Sequence, residues 1–146
     1  VDDWPGAAAP MVAPGAPAVD APVLAGGEPQ WLLRQLGGAF TVVVFAPDGE
    51  IPGEMLDQLA RAAMLPIPVR AIVITRGPVA PRGEALWLVD TEGLAHARYA
   101  PSGSAVYLFR PDQHVAGRRA ALSADWIGTA LRRACATDIP FTIGAC

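Results

Sequence analysis

Residues 40–45, Phe-Thr-Val-Val-Val-Phe, carry a β-branched or aromatic side chain at every position. A strand with one face in water alternates apolar and polar residues, whereas a run without alternation is the signature of a buried strand. Pro47-Asp48-Gly49 breaks this strand, because proline withdraws a backbone donor and glycine accepts turn conformations. From Gly53 to Met64, residues Met55, Leu56, Leu59 and Ala63 fall on one helical face, with Glu54, Asp57, Gln58 and Arg61 opposite. Pro66 and Pro68 end this helix, and a second strand follows at Val69–Thr75, closed by Arg76-Gly77-Pro78.

A third apolar run, Ala85–Val89, leads into Asp90-Thr91-Glu92-Gly93, where Asp90 or Thr91 is placed to cap a short helix reaching Tyr99. Ala105–Phe109 and His114–Arg118 then flank Arg110-Pro111-Asp112-Gln113. Proline second and aspartate third suit a tight reversal, so the two strands are expected to form a hairpin. Ser123 is placed to cap a final helix whose Trp126, Ile127, Ala130, Leu131 and Ala134 share a face. This order of elements predicts an α/β chain of thioredoxin-like type, with a central mixed sheet flanked by helices. One strand is ambiguous: either Val69–Thr75 or Ala85–Val89 is the second parallel strand, and the other is an edge addition.

Ahead of these elements, residues 1–28 hold Pro5, Pro10, Pro14, Pro17 and Pro22 among Ala and Gly. Such a segment cannot sustain a helix and reads as an extended arm or linker. Trp4 and Met11 hint that parts of it lie against a surface. Pro29 to Leu36 reads as a short helix stopped by Gly37-Gly38. The expected organisation is an arm over 1–28, a domain over 29–137 and a tail over 138–146. The start, Val1-Asp2-Asp3-Trp4, lacks an initiator Met and the charged-then-apolar order of a signal peptide, which suggests a piece of a longer chain.

Composition removes several function classes. With 52% hydrophobic and 17% charged residues among 146, a core is affordable. No window approaches the ~20 apolar residues of a bilayer span, so no membrane association is expected. A net charge of −3 and a pI near 5.2 argue against a nucleic-acid partner. All 11 cationic residues are arginine, and the pairs Arg118-Arg119 and Arg132-Arg133 read as solvated surface.

Thioredoxin chemistry needs Cys-x-x-Cys at the start of the helix after the first long strand, where the helix terminus favours thiolate. Here that stretch is Pro47 to Gly53, without cysteine, serine or threonine. A proline also usually precedes the hairpin and faces the redox site, yet Ser102-Gly103-Ser104-Ala105 has none. Cys135 and Cys146 fall late in the chain and read as a semi-buried thiol and a tail thiol, or as a disulfide joining tail to helix. Asp90, Glu92 and His96 match no familiar metal spacing, and His114 suits a turn hydrogen bond better than general-base work. Gly-x-Gly-x-x-Gly, P-loop and Gly-x-Ser-x-Gly motifs are missing. No catalytic, cofactor-binding or metal-binding residue is therefore assigned.

The segment Asp90-Thr91-Glu92-Gly93-Leu94, with Arg98-Tyr99 and Ala105 to Ala116, resembles the C-terminal domain of FAD-dependent aromatic hydroxylases, the flavin monooxygenases related to phenol hydroxylase and 3-(3-hydroxyphenyl)propionate hydroxylase. Tyr107-Leu108-Phe109-Arg110-Pro111-Asp112-Gln113-His114-Val115-Ala116 carries the most specific part. Pro14-Gly15-Ala16-Pro17 and Gly37 to Thr41 resemble the family's entry into that domain, so the likeness spans about residues 14 to 135. Gly117-Arg118-Arg119 departs from the family, which often has an aromatic residue nearby. The resemblance implies a thioredoxin-like, redox-inactive domain with a structural or dimerisation role. It further implies that FAD, NAD(P)H and the phenolic substrate belong to preceding domains of a cytoplasmic enzyme, and that Arg110 and His114 hold the turn or touch a neighbouring domain. Two alternatives are a standalone thioredoxin-like protein using Cys135 or Cys146, and a module that binds a small ligand or partner in the groove where a redox site normally lies.

Overall fold

Phe40–Phe45 forms the centre of the sheet that its sequence demands, and every one of its side chains is buried. The structure, a computed structural model, describes residues 2–3, 12–101, 103–120, 122 and 127–138, with side chains described for all but 2–3 and 134–138. In chain order the elements are β1 (Asp2–Asp3), β2 (Pro22–Ala25), β3 (Glu28–Trp31), α1 (Leu32–Gln35), β4 (Phe40–Phe45) and α2 (Gly53–Ala62), then β5 (Val69–Thr75), β6 (Leu86–Val89), α3 (Leu94–Tyr99), β7 (Ala105–Phe109), β8 (Val115–Arg119) and α4 (Ile127–Asp138).

The strands form one mixed sheet in the order β1-β8-β7-β4-β5-β6-β2-β3. β4, β5 and β6 run parallel, with Val44 opposite Val73 and Val73 opposite Trp87. β7 lies antiparallel to β4, placing Val44 opposite Val106, and β8 returns antiparallel to β7. The ambiguity between the second and third apolar runs is thereby resolved: both are parallel, and neither is an edge, because β2 pairs with the far side of β6.

Alternate residues of the central strands feed two cores, as the period of two requires. On one face Val42, Val44, Val73, Val106 and Leu108 pack with Met55 and Leu59 of α2 and with Ile127 and Leu131 of α4. On the other, Val43, Phe45, Ile72, Ile74, Tyr107 and Phe109 pack with Leu32 of α1, Tyr99 of α3 and Val12 and Val23. Burying each such side chain contributes about 1.5–3 kcal/mol.

The expected arm over residues 1–28 is corrected by that second core. Val12, Ala21 and Val23 are buried, and Pro22–Ala25 is an internal strand of the sheet. The prolines of this hairpin persist because Pro22 opens β2 and Pro29 sits on β3, the edge strand. Prolines forbid helix here but not extended pairing, and the extended segment found a sheet. The helix expected from Pro29 to Leu36 shrinks for the same reason, since Glu28–Trp31 pairs with β2 and only Leu32–Gln35 is helical. The arginine pair of β8 is also corrected. Arg118 is only 3% exposed, and its Nη1 donates to the Val12 carbonyl at 2.8 Å. Trp4, Met11, Ser123, Trp126 and Cys146 lie outside the described residues, as does the side chain of Cys135 in α4.

Candidate functional site

Parallel α/β sheets present their ligand sites beyond the carboxyl ends of their strands. In this chain, β4 and β5 end side by side there, tied together by Arg76 N–H donating to the Pro47 carbonyl at 2.9 Å. A cavity of about 380 Å³ opens beside them, lined by Pro47, Arg76, Gly93, His96, Ala97 and Pro101, among others. That volume is within the range of small-molecule pockets, about 300–1,000 Å³.

Its polar wall is built from the segment between β6 and β7. Asp90 follows β6 and is fully buried, with its N–H donating to the Thr75 carbonyl at 2.7 Å. Its carboxylate then serves α3. One oxygen accepts from Ala95 N–H at 3.2 Å, the other from His96 N–H at 2.8 Å and from His96 Nδ1 at 2.9 Å. The first turn of a helix leaves N–H groups without intrahelical partners; of the two candidates Asp90 and Thr91 it is Asp90 that serves them, from outside the N-cap position, which Gly93 occupies. Burial pushes the Asp90 carboxyl up, but the hydrogen bonds from the His96 ring and the two N–H groups outweigh it and hold the carboxyl below its ordinary value.

His96 is thereby fixed. Phe45 meets its ring edge-on at 5.4 Å between centroids, and Asp90 orients Nδ1. The ring is almost wholly buried, and Nε2 has no hydrogen-bond partner among the described residues. Leaving such a nitrogen unmatched costs about 1–3 kcal/mol. Gly93 takes the left-handed conformation (φ 74°), and the place its Cβ would occupy is 2.9 Å from the exposed Arg76 guanidinium. The glycine thus permits both the turn into α3 and the guanidinium lying against it.

The residues singled out in the sequence fall into separate places. Asp90 and His96 come together, while Glu92 is exposed, and no cluster of three metal-ligating side chains occurs among the described residues. Arg110 and His114 sit at the β7–β8 turn. Arg110 Nη2 donates to Asp112 Oδ2 at 2.7 Å, and His114 N–H donates to Asp112 Oδ1 at 3.2 Å. Desolvation raises the Asp112 carboxyl, but the His114 N–H and the Arg110 guanidinium more than reverse it, leaving it below its ordinary value. Arg110, Asp112 and His114 therefore hold the turn. Pro47 to Pro52, where a dithiol would stand, instead makes a turn, with Gly49 N–H donating to the Ala46 carbonyl and Ile51 buried in the core. Arg76 is the participant the sequence did not suggest, since there it reads only as the end of a strand.

No protein-family model matches the chain, and no curated protein matches it by sequence. Solved structures do. The flavin-dependent monooxygenase PieE, in complex with FAD and substrate, matches 82% of this chain at 27% identity and a TM-score of 0.60. Aklavinone-11 hydroxylase, in a ternary complex with FAD and aklavinone, matches 80% at 26% identity and a TM-score of 0.58. The chain is thioredoxin-like in fold and resembles one domain of the FAD-dependent monooxygenases. It spans only 19% and 20% of the length of those two proteins, the share of a single domain. AhpC of Enterococcus faecalis matches 91% of the chain and is itself covered over 99%, with a TM-score of 0.67. At 11% identity that likeness concerns the thioredoxin-like fold alone. Among the described residues, no helix is long and apolar enough to cross a membrane.

Proposed function

We propose that this chain is the C-terminal domain of an FAD-dependent aromatic-ring monooxygenase, where it has a structural or dimerisation role and performs no thiol chemistry. The observation that carries this is the one-sided coverage, four fifths of this chain against one fifth of two flavin-dependent hydroxylases. FAD and NAD(P)H are assigned to the rest of a cytoplasmic parent. The β4–α2 connection does not suit a flavin dinucleotide: it has no Gly-x-Gly-x-x-Gly, and its Gly49 backs onto Val79 rather than an open cradle. No step of the hydroxylation is therefore routed through these residues.

Support for a role in contacts comes from exposed apolar side chains, Met64 and Leu65 after α2 and Trp31 on the edge strand β3. The test is to read the coding sequence upstream of Val1. The expected result is a strand followed by Gly-x-Gly-x-x-Gly several hundred residues earlier, and a start codon directly before Val1 would refute the proposal. Light scattering on the chain separates the two roles: a dimer mass supports dimerisation, and a monomer mass leaves contact with the parent's other domains.

A further inference from the structure

β5 and β6 run parallel, so residues 76–85 must cross from one end of the sheet to the other. Such crossovers are usually helices, yet no helix lies between these two strands. We propose that residues 77–84 form a hinged strap, latched by Arg82, that opens away from the β4–α2 turn and uncovers the flank of α2. This holds whether or not the parent is a monooxygenase.

The strap is fastened at one residue. Among the described residues, no backbone–backbone hydrogen bond joins residues 78–84 to the neighbouring elements. Their polar links pass through Arg82 instead. Its Nη2 donates to the Gly49 carbonyl, its own carbonyl accepts from Trp87 Nε1 at 2.9 Å, and its guanidinium lies 5.4 Å from the centre of the Trp87 ring. Trp87 packs with the core beneath α2, so the strap crosses on the α2 face of the sheet. One apolar contact adds to the latch: Val79 is half-buried against Gly49, where a Cβ would come within 2.8 Å of it. From Ala80 to Glu84 every residue is exposed, so little apolar burial holds the strap down. Gly77 and Gly83 bound the segment, and the place of a Cβ on either is open space. They free its ends to turn, while Pro78 and Pro81 stiffen the piece between. A hollow of about 300 Å³ lies beside α2, walled by Leu56, Ala60, Ala63 and Ala71 and by Gly83 and Glu84 of the strap. Moving those last two residues widens it, so the latch controls access to that flank. Arg82 is a positioning residue here.

The experiment is cysteine trapping in the 146-residue chain. Cys135→Ser and Cys146→Ser remove the two native thiols. Val79→Cys then reports opening through its rate of reaction with a maleimide, and Ala80→Cys is the exposed reference. The expected result is slower reaction at position 79 than at 80, with a gain of about tenfold at 79 alone when Arg82→Ala is added. The rate at 79 should hardly respond to urea below the unfolding transition, because a local opening exposes little surface. A second measurement leaves Val79 in place. In the chain labelled with 5-fluorotryptophan, Trp87→Phe assigns one of four ¹⁹F resonances, and Arg82→Ala should move that resonance toward exposed indole. Equal rates at 79 and 80 would show that the strap is not seated and overturn the proposal. A rate at 79 and a Trp87 resonance both indifferent to Arg82→Ala would deny the latch. A rate at 79 that rises with urea as steeply as global unfolding would refute the hinge, since the strap would then move only with the whole fold.

Discussion

Gln113 takes a left-handed backbone (φ 67°), which a side chain other than glycine adopts only under constraint. It closes the turn through its N–H to the Arg110 carbonyl, while its Nε2 donates to the carbonyls of Leu33 and Leu36 at 2.7 and 3.2 Å. One side chain thus completes a hairpin and caps a helix 77 residues away. Gln113→Ala should lower unfolding free energy by about 1–2 kcal/mol in denaturant melts, from two lost hydrogen bonds. Asp90 offers a second test at this scale. Its carboxyl is held below its ordinary value in the folded chain, so its contribution is present above the unfolded pKa of about 3.9 and is lost as the pH falls through the folded value. Asp90→Asn should destabilise by about 1–3 kcal/mol near neutrality. Wild type should then lose more stability than the variant as the pH drops from about 5 toward 2, measured by denaturant unfolding at each pH.

The short helices owe their existence to caps from elsewhere in the chain. A four-residue α1 cannot form alone, given the cost of the first turn. Asp20 accepts from Leu33 N–H at 3.0 Å at one end, and Gln113 serves the carbonyls at the other. The segment before β2 is held in turn by α3: Tyr99 Oη accepts from Val19 N–H at 2.6 Å and Arg98 donates to the Asp20 carbonyl. Desolvation raises the Tyr99 hydroxyl well above its ordinary pKa. A chain truncated to begin at Pro29 removes β2, Val12 and Asp20 together and uncovers Leu88 and Tyr99. It should lose cooperative thermal unfolding, and a sharp transition at the wild-type midpoint would show the segment to be dispensable.

At the scale of the whole molecule, the fold is thioredoxin-like, and the stretch after the first long strand, Pro47 to Pro52, is a proline- and glycine-bounded turn without cysteine. The chain should not accelerate insulin reduction by dithiothreitol above the uncatalysed rate, and Cys135→Ser with Cys146→Ser should leave the assay unchanged. A thiol-dependent acceleration would restore the standalone redox alternative.

The central strands, the parallel start, the β7–β8 hairpin and the cap at Asp90 were all legible in the sequence, because each is local: apolar continuity, proline and glycine punctuation, or a carboxylate a few residues before its helix. The tyrosine and phenylalanine of β7 are buried as their pattern demands. What the tertiary structure alone decided was non-local. Residues 12–25 read as a linker, since their extended, proline-broken backbone is the same in a linker and in a sheet; only the unpaired edge of β6 and the uncovered core face made them part of the domain. Arg118 read as surface until the Val12 carbonyl received it. The cavity, likewise, needed β5, α3 and the entry to β7 to converge before Arg76 and His96 could share a wall.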